Sequence, residues 1–303
     1  MKKLLGIVGP TAMGKTKIAI DLANKLPGEI ISGDSMQVYR EVSIGTAKAT
    51  DAEQAAAKHY LVGTHSIFEP YSVKNFVDEA SAAIEKVQTM PILAGGTGLY
   101  VNCLINDMQL GEENEIKSPV DDEWQDFLDK NGSQALWNKL YELDPKACEK
   151  IPVQNTRRAL RALTVISRTG KKFSEQQSEI KPRYDYLLLG LKTDRELMYE
   201  RINHRVDLMV EAGLVDEAKY VFEHRSEIFQ LGQAIGYKEL FPYFEGKSDL
   251  DTCLDKLKQA SRHFAKRQLT YFQNKLPVVW LDPILDDQFF EKMLETIYNW
   301  QKD

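Results

Sequence analysis

The sequence predicts an α/β fold, a parallel sheet flanked by helices and interrupted by a mainly helical domain. Three observations carry this. Short apolar runs alternate with amphipathic helical stretches up to about residue 105, the pattern of βαβ units. Two of the runs end in glycine-rich turns, at residues 9–14 and 95–98. From about 107 strand signals fade, and they resume only at 186–191. The expected domains are a core of 1–106 with 186–303 and an insertion of 107–185.

The strongest signal lies at the first strand. Leu4, Leu5, Ile7 and Val8 are followed at once by GPTAMGKT over residues 9–16. Helical periodicity then runs through Ile18, Ala19, Ile20, Leu22, Ala23 and Leu26. G-x-x-x-x-G-K-[ST] between a strand and a helix is the P-loop pattern, so the core is expected to be P-loop NTPase-like. Glycines let the backbone wrap a phosphate, and the loop N–H groups point inward at the positive end of the helix dipole. Gly9, Pro10, Thr11, Ala12, Met13, Gly14, Lys15 and Thr16 are the expected diphosphate cradle. Lys15 would reach the outer phosphates, and the Thr16 hydroxyl would sit on a Mg²⁺ ion. This is the ATP-binding motif of many nucleotide-binding enzymes, yet the pattern does not say whether the phosphate belongs to a nucleotide. MKKLLGIVG runs straight into the loop and reads as the first strand rather than a signal peptide.

Next, Ile30 and Ile31 form a short buried-strand candidate with Ser32-Gly33-Asp34-Ser35 at its carboxyl end. Ligands of open parallel sheets bind outside the carboxyl ends of the strands, which sets Asp34 beside the phosphate loop. On its own Asp34 would serve equally well as a helix N-cap. Residues 41–58 read as a loop and a short Ala-rich helix, 59–62 as a strand and 71–87 as an amphipathic helix. Residues 91–94 read as a strand entering the second glycine turn, where Thr97 offers a hydroxyl at the sheet edge. The insertion is acidic at 112–129, then helical over 123–128 and 133–143.

Between Gln154 and Lys172 stand six basic residues (Arg157, Arg158, Arg161, Arg168, Lys171 and Lys172) and no acidic one. Helical spacing puts Arg157, Arg161 and Arg168 on one face and Leu160, Leu163 and Ile166 on the other, a candidate polyanion site. After the strand at 186–191, Asp194 caps a helix over 195–211 that bears Arg201 and Arg205 and ends at Gly213. Further helices are expected over 217–225, after the glycine junction at 233–239, and over 254–272. The last has Arg262, His263, Lys266 and Arg267 on its later half. Residues 278–281 read as the last strand.

Composition bounds the function class. The chain has 303 residues, 43% hydrophobic and 28% charged, which is ordinary for a soluble globular protein. No apolar run approaches the roughly 20 residues of a membrane span, and no membrane partner is expected. Cys103, Cys148 and Cys253 lack C-x-x-C spacing, which fits a reducing cytoplasm without a zinc site or disulfide framework. The five histidines (59, 65, 204, 224 and 263) have no metal-ligand spacing. A net charge of −6 argues against general nucleic-acid binding and throws weight onto the local basic segment. No G-x-S-x-G elbow occurs, and no apolar strand ends directly in an acidic residue, which weakens an ordinary ATPase reading.

Taken together, GPTAMGKT, GDSMQVYR, GTAK, GGTGLY, QNTRRALRAL, QAIGYKE and AKRQLTYF resemble the tRNA dimethylallyltransferase (isopentenyltransferase) family, with the blocks in family order from Leu4 to Leu281. The resemblance implies a P-loop core that binds dimethylallyl diphosphate instead of ATP. It implies transfer of the five-carbon group to N6 of the adenine 3′ of the tRNA anticodon, with release of diphosphate. By resemblance Asp34 accepts the N6 proton, Thr97 hydrogen-bonds near the reacting groups and Arg205 reaches over the diphosphate. Asp34, Ser35, Met36 and Gln37 meet the tRNA, with Gln37 helping to hold the extruded adenine. Gln154, Asn155, Thr156, Arg157, Arg158 and Arg161 meet the anticodon-stem phosphates. A bacterial type and a monomer are expected, and the stretches before Ser72, Pro91 and Gln233 are shorter than the family pattern.

Competing readings make different demands. A small-molecule or nucleotide kinase shares the P-loop but predicts ATP turnover. An adenylate isopentenyltransferase shares the chemistry but has no use for the basic insertion. A GTPase-like RNA-binding switch needs an N-K-x-D segment, which is absent.

Overall fold

A computed structural model describes residues 1–106, 119–175 and 181–302. The sheet has six strands: β1 (Lys3–Val8), β2 (Gly28–Ser32), β3 (His59–Tyr60), β4 (Met90–Gly95), β5 (Asp185–Leu191) and β6 (Val279–Leu281). Their spatial order is β3-β2-β4-β1-β5-β6, and every pairing is parallel. β1 is central because Leu4, Leu5, Ile7 and Val8 are fully buried, as suits a strand covered on both faces. The order places the carboxyl ends of β2, β4 and β1 side by side, where three loops can converge.

The helices between these strands are α1 (Lys15–Lys25), α2 (Asp51–Ala56), α3 (Val73–Lys86) and α4 (Gly98–Ile105). Thr50 and Ser72 close α2 and α3 with capping boxes. Ile18, Leu22 and Ala23 of α1 join Leu5, Ile7 and Ile92 in one core cluster. Chain contacts divide the molecule into two compact units, Met1–Asp107 with Pro182–Asp303, and Met108–Lys181.

The second unit contains α5 (Pro119–Leu143), α6 (Pro145–Cys148) and α7 (Thr156–Thr169). α5 is broken at Gly132, which has φ 79° and ψ 173°. Its core joins Leu136 and Leu140 to Ala147, Ile151, Ala159, Ala162 and Leu163. The apolar face of α7 is wider than the expected one. Ala159, Ala162 and Leu163 face the core, while Leu160 and Ile166 are only partly buried beside it. Small alanines pack the helix close, a contact that apolar spacing alone does not rank. The acidic residues expected at 112–118 lie outside the described residues.

The rest of the first unit adds α8 (Arg195–Glu211), α9 (Leu214–Glu223), α10 (Phe241–Phe244), α11 (Leu250–Lys275) and α12 (Phe289–Lys302). Asp194 caps α8 through the Glu196 N–H. Several expectations are corrected here. β3 stops at Tyr60, since Leu61 takes φ 61°, which ends an extended strand. α9 begins at Leu214 instead of 217, because Leu214 is fully buried and pulls the first turn into the core. The junction at 233–239 leads only to a 3₁₀ turn and the four-residue α10, which stops before Gly246 at φ 68°. α11 starts at Leu250, where Asp249 caps it, and not at 254. α12 had no expectation at all. It packs Met293 and Ile297 fully into the core, and Trp300 Nε1 donates to Asp185 at 2.9 Å. Among the described residues no helix is long and apolar enough to cross a membrane.

Candidate active site

A cleft of about 890 Å³ opens at the carboxyl ends of β1, β2 and β4. One wall is the phosphate loop. Gly9 has φ 134°, and a Cβ there would stand 2.6 Å from the Leu191 carbonyl oxygen, so the turn out of β1 requires glycine. Ala12 sits at φ 65°, a left-handed conformation that costs about 1–2 kcal/mol in an alanine. Gly14 precedes α1 without any side-chain cap, unlike the capped α2, α3, α8 and α11. A helix whose first N–H groups find no side-chain acceptor is set up to receive an anion.

The cations at this end are held by protein acceptors. Lys15 Nζ donates to the Pro10 carbonyl at 2.7 Å, and Arg205 Nη1 donates to Thr11 Oγ1 at 3.1 Å. Burial, then the neighbouring Arg205 charge, lowers the Lys15 pKa from 10.5 to about 8, against an opposing pull from Asp34. Burial also lowers the pKa of Arg205, opposed by Asp34 and Glu53. Two carboxylates, Asp34 and Glu53, line the cleft against Lys15, Lys17, Lys48, Arg205 and Arg267, which makes a site short of negative charge.

The opposite wall is the segment after β2. Asp34, Ser35, Met36 and Gln37 all line the cleft. Asp34 Oδ1 accepts the Met36 N–H at 2.9 Å, a turn that leads into no helix, so the N-cap alternative fails. The Ser35 N–H donates to Thr97 Oγ1 at 3.2 Å, so Thr97 ties the β4 loop to the β2 loop. Gln37 is oriented at both ends. Ser32 Oγ donates to its Oε1 at 3.1 Å, and its Nε2 donates to the Ala47 carbonyl at 3.0 Å.

Of the expected cradle, Thr11, Ala12, Gly14, Lys15 and Thr16 line the cleft. The Met13 side chain instead belongs to the core, at 1% exposure. Arg205, the arginine favoured by resemblance, lines the cleft, whereas Arg201, which helical spacing alone does not distinguish from it, is exposed and donates from Nε to the Ala12 carbonyl at 3.0 Å. In the second unit Gln154, Asn155, Arg157, Arg158 and Arg161 are exposed and Thr156 is half-buried. Asn155 also caps α7 through the Arg158 N–H.

Two residues of the site were not singled out from sequence. Gln268 of α11 accepts the Thr11 N–H and donates to the Gly96 carbonyl. Its signal was a polar side chain on the buried stripe Ala265, Gln268 and Phe272. Glu217 of α9 accepts the N–H groups of Ser43 (2.6 Å), Ile44 (3.0 Å) and Gly45 (2.8 Å), and the Tyr237 hydroxyl at 2.8 Å. It thereby holds the loop that carries the Ala47 carbonyl. No local pattern marked it, because all its partners are more than about fifteen residues distant along the chain in a fold brought together by long loops.

The model of the family described as IPP transferase matches residues 37–275. A protein named tRNA dimethylallyltransferase from Lactobacillus delbrueckii subsp. bulgaricus is 61% identical over 306 residues, covering 100% of this chain and 99% of the relative. One of the same name from Lactobacillus helveticus is 58% identical, covering 100% of both. The crystal structure of a tRNA isopentenylpyrophosphate transferase from Bacillus halodurans has a TM-score of 0.74 at 42% identity, covering 100% of this chain and 97% of that one. A eukaryotic dimethylallyltransferase, described as acting on tRNA, has a TM-score of 0.82 at 28% identity, covering 99% of this chain and 79% of that one. With the model matching well over half of its length, the chain belongs to the IPP transferase family.

Proposed function

We propose that this enzyme transfers a dimethylallyl group from dimethylallyl diphosphate to N6 of the adenine 3′-adjacent to the anticodon in tRNA, releasing diphosphate. The observation that carries the reading is one cleft that joins an uncapped helix N-terminus and two enclosed cations to a carboxylate wall. Departure of an allylic diphosphate leaves a delocalised cation and a highly charged leaving group. Lys15, Arg205 and the loop N–H groups stabilise that charge as the C–O bond breaks. The adenine N6 lone pair forms the new bond to the allylic carbon, and Asp34 takes the proton it sheds. Ile202, Val206, Met209 and Leu257 supply an apolar side to the same cleft, suited to a five-carbon chain.

A base stacked in the anticodon loop must be extruded to reach such a cleft, where Gln37, already oriented, can meet its edge. The exposed Arg157, Arg158 and Arg161, with Gln154, Asn155 and Thr156, contact the anticodon-stem phosphates. The donors present suit Mg²⁺ bound largely through substrate. The Thr16 hydroxyl lies in the cleft, and among the described residues no cluster of three or more His, Cys, Asp or Glu could hold a metal. Thr16 would thus share the ion with diphosphate oxygens and water, and when bound the ion neutralises leaving-group charge. The reaction is placed in the cytoplasm, with the protein acting as a monomer.

The test is transfer of radiolabel from dimethylallyl diphosphate to bulk bacterial tRNA with Mg²⁺, alongside AMP and ATP-only controls. Label in tRNA that requires the adenine beside the anticodon is expected. Label in AMP, or ATP consumption without label, would sink the proposal.

A further inference from the structure

The phosphate loop and the loop after β4 come from different strands, and one side chain spans them. Gln268 Oε1 accepts the Thr11 N–H at 3.0 Å, while its Nε2 donates to the Gly96 carbonyl at 2.9 Å. The side chain is only 6% exposed. Both ends of its amide are thus engaged away from water, where such bonds are strong and costly to leave half made. Gly96 is shaped to it, since a Cβ at that position would overlap the Gln268 amide nitrogen. Beyond Gly96 the linkage continues, because Thr97 Oγ1 accepts the Ser35 N–H beside Asp34. Thr11 is pinned twice, its N–H by Gln268 and its hydroxyl by Arg205.

We propose that Gln268 is a positioning residue that fixes the separation between the loop binding the leaving diphosphate and the loops carrying Thr97 and Asp34. Resting on the dimethylallyl-transfer reading, this means that Gln268 sets the distance between the departing group and the group that receives the proton. Gln268 borders the cleft, but both ends of its amide are taken up by backbone groups of the two loops, so it acts through them. A misplacement near 1 Å can cost about a hundredfold in rate, so the loss should fall on kcat.

Gln268→Leu removes both bonds while keeping much of the volume, and its kcat is expected to fall about a hundredfold. Its KM for dimethylallyl diphosphate and its Kd for inorganic diphosphate should each move by less than about threefold, the signature of an interaction that acts mainly in the transition state. Amide hydrogen exchange at Thr11 should quicken in the folded variant, a readout independent of activity. Gln268→Glu carries the test should the leucine variant not fold. As a neutral acid its side chain accepts from Thr11 and donates to Gly96, and as a carboxylate it cannot donate. The ratio of its kcat to that of the unaltered enzyme should therefore rise as pH falls. A kcat within about twofold in Gln268→Leu, unchanged Thr11 exchange, or a ratio flat in pH would each overturn the proposal. If the unaltered protein moves no dimethylallyl group, the functional reading fails, and the exchange result still decides whether Gln268 clamps the loops.

Discussion

The cations of the phosphate cleft and those of α7 are the same residue types put to opposite physical use. In the cleft, Lys15 and Arg205 are held against protein acceptors, and burial works against their charge. On α7, Arg157 and Arg158 stand exposed on a helix whose other face packs through Ala159, Ala162 and Leu163 against Leu136 and Leu140. A cation kept partly out of water is costly to the apo protein but strong toward a diphosphate, because the low local dielectric magnifies the attraction. An exposed arginine costs little and gives little per contact, and its binding is screened by salt. Under the proposed function, enclosure suits the first group to the departing diphosphate, and exposure suits the second to long-range attraction of a polyanion.

The sharpest break of this contrast is Lys15→Ala, expected to lower kcat/KM for transfer about a thousandfold while tRNA affinity stays within about twofold. Comparable losses of rate and tRNA affinity would dissolve the distinction. Next in size, Asp34→Asn should lower kcat about a hundredfold in a transfer assay, with inorganic diphosphate binding retained in calorimetry. Loss of diphosphate binding would make Asp34 part of the scaffold instead of the proton acceptor. Third, pH separates the two groups of cations. In the free enzyme, inorganic diphosphate binding should weaken by up to about tenfold per pH unit above a pH of about 8, as Lys15 loses its proton. Binding of tRNA through arginines should stay level over the same range, since guanidinium keeps its charge.

A smaller effect is expected from Arg158→Ala, which should raise the tRNA Kd about fivefold and reduce the slope of log K against log salt by about one, with kcat at saturating tRNA unchanged. An unaltered slope would remove that face from the RNA site. The smallest is on stability. The folded pKa of Lys15 lies below its ordinary 10.5, so the unfolded chain holds the extra proton between about 8 and 10.5 and stability rises with pH across that window. Below about 8 the full penalty is in place. Lys15→Met should accordingly raise the unfolding midpoint by about 2–4 °C at neutral pH, a gain that fades toward pH 10.5. A midpoint shift that does not vary with pH would mean the lysine stores no such penalty.

Much of this was legible in advance for identifiable reasons. The P-loop could be read because its chemistry is local, with glycines, lysine and threonine adjacent in the chain. Asp34 could be placed because a parallel sheet gathers the carboxyl ends of its strands on one edge. Spacing alone does not tell Arg201 from Arg205, since i, i+4 sets both on one helical side; the family resemblance favours Arg205, and the packing of α8 turns it into the cleft. Glu217 and α12 were missed for a shared reason. Their partners are distant in sequence, so nothing near them hints at what they meet.

By itself, then, the sequence determined the alternation of strands and helices, the phosphate loop, the basic character of α7 and the family. The first three follow from residue order within a turn or two of chain, where periodicity and backbone geometry act, and the family from the resemblance of blocks spread from Leu4 to Leu281. Only the tertiary structure decided that Arg201 turns out of the cleft, how enclosed Lys15 becomes, and that Gln268 and Glu217 hold the site loops in place. Those properties depend on groups brought together across 170 or more residues in chain distance, such as Gln268 with Gly96 and Glu217 with Gly45, and on the water their packing excludes.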